Sequence, residues 1–249
     1  MVEQAQIDAL RSAPLPEAKH VINGSLVAAS DGAESANTSP IDGTALGALA
    51  LGTHQDIDAA VAAARTAYDD GRWSKMPPAA RKKIMHRIAD LIEEHMLELA
   101  VLGVRDNGTE MNMALKAEPG SAAGTFRYYA EALDKIYGEI APTDPGVLGL
   151  VHREPVGVVG AIVPWNFPLM IGAWKLAPAL ATGNSVVLKP AETASLSLLK
   201  LAELAAQAGL PDGVLNVVTG PGAVTGEALA MSMDVDVLVF TAGMPNHKK

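Results

Sequence analysis

From residue 156 onward the chain alternates short, mainly apolar runs with longer segments of helical period. The runs cover 156–163, 186–188, 214–218 and 235–240. Such runs suit strands buried on both faces, as in a parallel sheet. Between them, segments 169–182, 194–208 and 225–232 read as helices that cross back over the sheet. Gly209 followed by Leu210 and Pro211 stops the second of these. The order is β-α-β-α-β-α-β, which predicts a doubly wound α/β fold: a Rossmann-like parallel sheet with flanking helices and right-handed crossovers.

Upstream the pattern differs. Residues 1–52 are short and broken, with a turn at Asn23-Gly24 between two small apolar pairs that predicts a hairpin. Thr53 and Asp56 have the spacing of a capping box, and Ile57, Ala60, Val61, Ala64 and Tyr68 form one helical stripe after it. Pro77 and Pro78 open a second helix with the stripe Ile84, Ile88, Leu91, Ile92, Leu99 and Leu102. A third helix is predicted over 122–136. Over 137–155 the helical period is lost, and Gly138, Pro142, Pro145, Gly146 and Gly149 interrupt apolar residues as in a bridging β-ribbon. The organisation expected is an N-terminal hairpin and helical region (1–136), the ribbon (137–155) and a dinucleotide-binding α/β unit (156–249).

Composition narrows the chemistry. Nineteen basic against 28 acidic residues leave a net charge of −9, which disfavours both nucleic-acid binding and docking on anionic lipid. No signal-like segment and no run long enough to span a bilayer occurs, so the expectation is a soluble, cytoplasmic protein with no membrane partner. With no cysteine among 249 residues, the chain has no disulfide, no thiolate metal site and no thiol nucleophile of its own. The six histidines lack metal-ligand spacing and are expected at the surface or in the ribbon, so no metal is expected. Trp73, Trp174 and the ten methionines read as packing residues, and Arg81-Lys82-Lys83 as a solvated helix face.

Ligands of open parallel sheets bind beyond the carboxyl ends of the strands, so four strand ends carry the candidate chemistry. After the first, Asn166 stands between Trp165 and Phe167 and two prolines, Pro164 and Pro168. This is either a rigid turn or an amide placed to donate to a developing oxyanion. After the second, Lys189 and Glu192 form either an ion pair at a helix start or a donor and acceptor for the two hydroxyls of a ribose. In the latter case Glu192 repels a 2′-phosphate and favours NAD over NADP. After the third, Gly220, Gly222 and Gly226 allow backbone to approach a pyrophosphate, or simply make a tight turn. Their spacing matches neither Gly-x-Gly-x-x-Gly nor a Walker loop. The fourth end is Phe240-Thr241.

Several stretches together resemble the N-terminal half of the aldehyde dehydrogenase superfamily. They are Glu154-Pro155-Val156-Gly157-Val158, Pro164-Trp165-Asn166-Phe167-Pro168-Leu169, Trp174-Lys175-Leu176-Ala177-Pro178-Ala179-Leu180, Gly183-Asn184, Leu188-Lys189-Pro190-Ala191-Glu192, and the run from Ala208 to Val218. The texture is similar to dehydrogenases of amine-derived aldehydes, the γ-glutamyl-γ-aminobutyraldehyde dehydrogenases among them. The resemblance implies oxidation of an aldehyde to its acid. A cysteine thiolate attacks the carbonyl, hydride leaves to NAD, and a glutamate activates water. It implies Asn166 as oxyanion donor and Ile162, Val163, Pro164 and Trp165 as the loop beside the cofactor. Lys189 and Glu192 become ribose ligands, and Gly222 and Gly226 the turn facing adenosine. Phe240 and Thr241 join the cofactor-binding set, and Lys175 becomes a proton relay or a salt-bridge partner.

Three further expectations follow. The family continues with Gly-Ser and a helix after Phe240-Thr241, whereas this chain reads Ala242-Gly243-Met244-Pro245, and Pro245 would break that helix. The chain therefore reads as a truncated form that lacks the catalytic domain and is inactive alone. The alternative is a non-catalytic dinucleotide-binding or interaction module, either self-associating as a homo-oligomer or pairing with a full-length homologue.

Overall fold

Alternation along the strands decides the layering. The computed structural model describes residues 3–242. The chain opens with α1 (Gln4–Ser12), β1 (His20–Ile22), β2 (Ser25–Val27), β3 (Glu34–Thr38) and β4 (Ala45–Ala50). Helices α2 (His54–Asp69), α3 (Pro78–Glu94), α4 (Met96–Asn107), α5 (Met111–Ala117) and α6 (Pro119–Ala132) follow. A ribbon of β5 (Glu139–Ala141) and β6 (Gly149–Val151) leads to β7 (Val158–Ile162), α7 (Pro168–Ala181), β8 (Ser185–Lys189), α8 (Leu196–Gln207), β9 (Leu215–Val217), α9 (Glu227–Met231) and β10 (Val237–Phe240).

The main sheet has the order β10-β7-β8-β9-β1-β2. β10, β7, β8 and β9 run parallel, and β1 joins β9 antiparallel through Val21 and Val217. The N-terminal hairpin thus extends the α/β sheet, which is mixed. Asn23 and Gly24 take φ of 50° and 76°, as a two-residue hairpin turn requires. Val159, Ala161 and Val163 face a core shared with α7 and α8, behind which α3, α4 and α6 form a further layer. Val158 and Ile162 face the opposite core, closed by Ile57, Ala60, Val61 and Ala64 of α2 and by Ala228 and Leu229 of α9. The α2 stripe and its Thr53–Asp56 capping box form as predicted.

Other expectations are corrected. The stripe read as one helix from Pro77 is broken at His95 into α3 and α4; the seven-residue step from Ile92 to Leu99 preserves phase across the break, so periodicity alone does not detect it. Helices α1 and α5 lie where none was predicted, and the third helix begins at Pro119 and ends in a 3₁₀ turn, Leu133–Lys135. Segment 225–232 becomes a wide turn, Gly222–Gly226, followed by the single short helix α9. β10 is not buried on both faces: it is an edge strand, with Leu238 40% and Phe240 62% exposed.

Single residues differ too. His20 is fully buried, because it alternates with Ile22 on the inward side of β1. Trp73 packs as predicted and donates its indole N–H to the Leu180 carbonyl, but Trp174 is exposed. Met85 is buried, whereas Met231 and Met233 face solvent. Arg81 is only partly solvated: its guanidinium donates to the Ser74 and Met76 carbonyls. His247 and the tail 243–249, with Pro245, lie outside the described residues.

Distant segments are tied by a buried carboxylate. Asp106, at the end of α4, accepts from the Leu196 amide at 2.7 Å and from the Asn37 side-chain amide at 3.0 Å. Burial pushes its carboxyl above the usual range, and these hydrogen bonds pull it back in part. Asp106→Ala leaves two buried donors without an acceptor and is expected to cost about 2–4 kcal/mol, read from urea unfolding. Asp106→Asn, which keeps one acceptor oxygen, is expected to cost less.

Candidate cofactor site

Parallel pairing brings the candidate residues into one row. Phe240 lies opposite Ile162, and Ile162 opposite Lys189. β7, β8 and β9 advance in one direction across the sheet, whereas the chain returns past them to place β10 on the far side of β7. That reversal is the switch point at which open α/β sheets hold ligands.

A cleft of about 470 Å³ lies beyond these ends. Its lining includes Ile162, Val163, Pro164, Trp165, Lys189, Glu192, Gly222, Gly226, Phe240 and Thr241. These are all ten residues singled out as cofactor-binding. It also includes Ala191, Glu227, Ala230, Leu238 and Ala242, which were not singled out. Glu227 is the only ionisable group among these five; it opens α9 one residue after Gly226, and no spacing rule flags it. Most of the wall is apolar; Lys189 and Glu192 stand at the β8 end and Glu227 at the start of α9.

Lys189 ends β8 with its side chain buried, and its ammonium stands 3.4 Å from a carboxylate oxygen of the half-exposed Glu192. Burial pushes the Lys189 amine below its ordinary value, partly offset by Glu192. One buried donor beside one accessible acceptor matches a vicinal diol. Gly222 and Gly226 leave space on the opposite wall: a Cβ on Gly222 would stand 3.9 Å from the Lys189 ammonium, and one on Gly226 would stand 3.8 Å from Ile162. A side chain at either place would extend into the cleft.

Lys175 lies beneath the β10 end. It is buried on α7 and donates to the Thr241 hydroxyl at 2.7 Å; burial lowers its pKa. Of the two roles left open for it, the salt bridge does not form among the described residues. Asn166 is exposed in the β7–α7 loop and is not part of the cleft lining. The next residue, Phe167, adopts φ 54° and ψ 52°, a left-handed conformation that non-glycine residues enter at a cost.

What holds this loop came from outside the motifs. Glu118, at the start of α6, is buried and accepts from the Met170 amide at 2.9 Å in the first turn of α7. Burial raises its carboxyl pKa, against the pull of the Met170 and Leu169 amides. Its sequence signal is faint: a lone acid before a proline.

Comparison with known proteins fits this geometry. Residues 27–249 match the family model described as aldehyde dehydrogenase family. The chain is 47% identical over 228 residues to an NADP/NAD-dependent aldehyde dehydrogenase of Escherichia coli, covering 92% of this chain and 46% of that protein. It is 46% identical over 220 residues to an aminoacetaldehyde dehydrogenase of Pseudomonas aeruginosa, covering 88% and 44%. The chain thus spans about half the length of these curated relatives. Among solved structures, a mutant P. syringae indole-3-acetaldehyde dehydrogenase in complex with NAD+ superposes with a TM-score of 0.94 at 45% identity, over 96% of this chain and 48% of that one. A γ-glutamyl-γ-aminobutyraldehyde dehydrogenase from Burkholderia cenocepacia gives 0.92 at 44% identity, over 95% and 48%. With a family model matched over most of its length, and relatives this similar across nine-tenths of it, the chain belongs to the aldehyde dehydrogenase family.

Proposed function

We propose that this chain is the dinucleotide-binding half of an NAD-dependent aldehyde dehydrogenase acting on a small aldehyde. One observation carries the reading: ten residues scattered from 162 to 241 line a single cleft at the switch point of the sheet. NAD, when bound, accepts the hydride that leaves the aldehyde carbon. Lys189 donates to one adenosine-ribose hydroxyl and Glu192 accepts from the other, at the spacing the structure gives them. Gly222 and Gly226 admit the adenosine side against bare backbone. Ile162, Val163, Pro164 and Trp165 form the apolar wall along the cofactor, with Phe240 and Thr241 across from them. Asn166 offers its amide N–H to the aldehyde oxygen as negative charge develops there, and the Glu118 carboxylate holds the helix turn that follows it. Lys175, with its amine pKa lowered and Thr241 as partner, holds a proton at Nζ close to the cofactor wall.

The net reaction consumes aldehyde, NAD and water and yields acid, NADH and a proton. It requires a thiol to hold the carbonyl carbon, and these 249 residues contain none. The chain by itself therefore binds cofactor without turning over. A second reading, a module that self-associates or pairs with a full-length homologue, is favoured by exposed apolar residues on β10 (Leu238, Phe240) and on the ribbon (Ile140, Leu150). Light scattering at increasing concentration decides it: a monomer at all concentrations counts against self-association, and mixing with a full-length relative tests pairing.

The isolated chain with NAD and an aminoaldehyde is expected to produce no NADH absorbance, remaining at least about 10⁴-fold below ordinary enzyme rates. Turnover at ordinary rates would refute the reading of the chain as non-catalytic. Titration calorimetry is expected to show saturable NAD binding that weakens roughly tenfold in Lys189→Met. The affinity should also fall as pH rises through the lowered Lys189 value, where the ammonium donor is lost, and Lys189→Met should abolish that dependence. Glu192→Gln removes the repulsion toward a 2′-phosphate and is expected to narrow the preference for NAD over NADP by roughly tenfold.

A further inference from the structure

Thr219 follows β9 and begins the turn that carries Gly222 to the cleft. It is fully buried and held at three points. Its carbonyl accepts from the Gly52 amide at 2.8 Å, its hydroxyl donates to the Ala50 carbonyl at 2.7 Å, and its amide donates to Nδ1 of His20 at 3.2 Å. The next residue, Gly220, takes φ 145°, and a Cβ there would stand 2.8 Å from the Gly52 nitrogen, so the turn has no slack on that side. Of the three ties, only the one to His20 depends on a titratable group.

Nδ1 also lies 3.1 Å from the Thr219 hydroxyl oxygen, but the backbone fixes the Thr219 amide hydrogen toward Nδ1, so Nδ1 accepts and the neutral ring carries its proton on Nε2. Nε2 is buried and has no hydrogen-bond partner. It faces a carboxylate oxygen of Asp56 at 3.8 Å, beyond hydrogen-bond reach. The Asp56 oxygens are already engaged by the amides of Ser30 and Thr53 and by both hydroxyls. Asp56 on α2 is the charged group that acts on the ring; β4 and the 219 turn present only a carbonyl, an amide and a hydroxyl to it. Burial outweighs Asp56 and pushes the imidazole below its ordinary value, so the ring is a neutral acceptor.

We propose that His20 is a positioning residue for the cofactor: as a neutral acceptor it holds the 219–222 turn where Gly222 meets the dinucleotide, and proton uptake at Nδ1 breaks its tie to the Thr219 amide. The link to the cofactor rests on the function proposed above; the latch does not. A protonated Nδ1 carries an N–H of its own and cannot accept the Thr219 amide; the Thr219 hydroxyl oxygen, 3.1 Å away, becomes its acceptor and the amide is left without one. Sequence reasoning placed His20 at the surface or in the ribbon, and nothing in the cofactor motifs involves it.

Amide NMR of the full chain, from about pH 7.5 down to the lowest pH at which the Val187 amide stays protected, tests the latch. The Thr219 and Gly220 amides are expected to shift and lose exchange protection in step with the His20 ring, while the Val187 amide in the sheet centre stays protected. In His20→Asn, whose side-chain oxygen stands near the place of Nδ1 and does not titrate, the same amides should stay protected throughout. In His20→Leu they should exchange fast at every pH. NAD affinity by calorimetry should drop roughly threefold to tenfold at the low pH in the unmodified chain, about the worth of one hydrogen bond, and stay level in His20→Asn. A Thr219 amide indifferent to pH in the unmodified chain, or unchanged protection in His20→Leu, overturns the latch. A latch that titrates without any change in NAD affinity overturns the positioning role. Absence of NAD binding at every pH counts against the cofactor reading instead, and the amide titration then decides the latch alone.

Discussion

Parallel hydrogen-bond register is the constraint on which the rest depends. Phe240, Ile162 and Lys189 end their strands in one row because each strand is locked to its neighbour residue by residue. A slip of one residue would exchange the two faces of a strand and send Val187 from the α2 side to the α7 side. Both faces of β7 and β8 are packed, so neither tolerates a slip, and β10 takes its register from β7. The cleft is therefore a consequence of the core: apolar pressure on two faces sets the register, and the register sets where the loops begin.

Loops that begin in the right place must also be held there, and buried acids do this from a distance. α7 and α8 have no side-chain cap of their own at Phe167 and Ser195. Glu118 and Asp106 instead accept from the first-turn amides, reaching across from the outer helical layer. Asp56 completes the α2 capping box by accepting from the Thr53 amide, and it also takes the Ser30 amide. Burying a carboxylate is costly, but charge-assisted bonds to free helix N–H groups and the positive end of the helix offset that cost. The turns that open α7 and α8 each lie directly after a cleft loop, so the outer layer acts on the site without touching it.

Legibility in the sequence divides along the same line. The strand ends are readable because apolar runs have a length and Lys189, Glu192 and Gly222 stand immediately beyond them. Those three are recoverable for that reason, whereas Ile162, Val163, Pro164, Trp165, Phe240 and Thr241 are singled out as cofactor-binding only through the family resemblance. The break at His95 is not, since the stripe keeps its phase from Ile92 to Leu99 and neither glycine nor proline marks it. The exposure of β10 is not either: Val237 to Phe240 read like any other buried run, and edge position depends on which strands pair. Trp174 shows the converse limit, a large ring on an otherwise buried helix that faces outward.

By itself the sequence determines the alternation of strand and helix, the residues at the strand ends and the lack of a thiol, because these follow from local period and composition. Only the tertiary structure decides that β1 and β2 extend the sheet, that Glu118 and Asp106 cap helices far along the chain, and that His20 meets Thr219 from 199 residues away. Those are contacts between segments whose separation carries no pattern. A buried polar group must find a partner somewhere, and the chain alone does not say where.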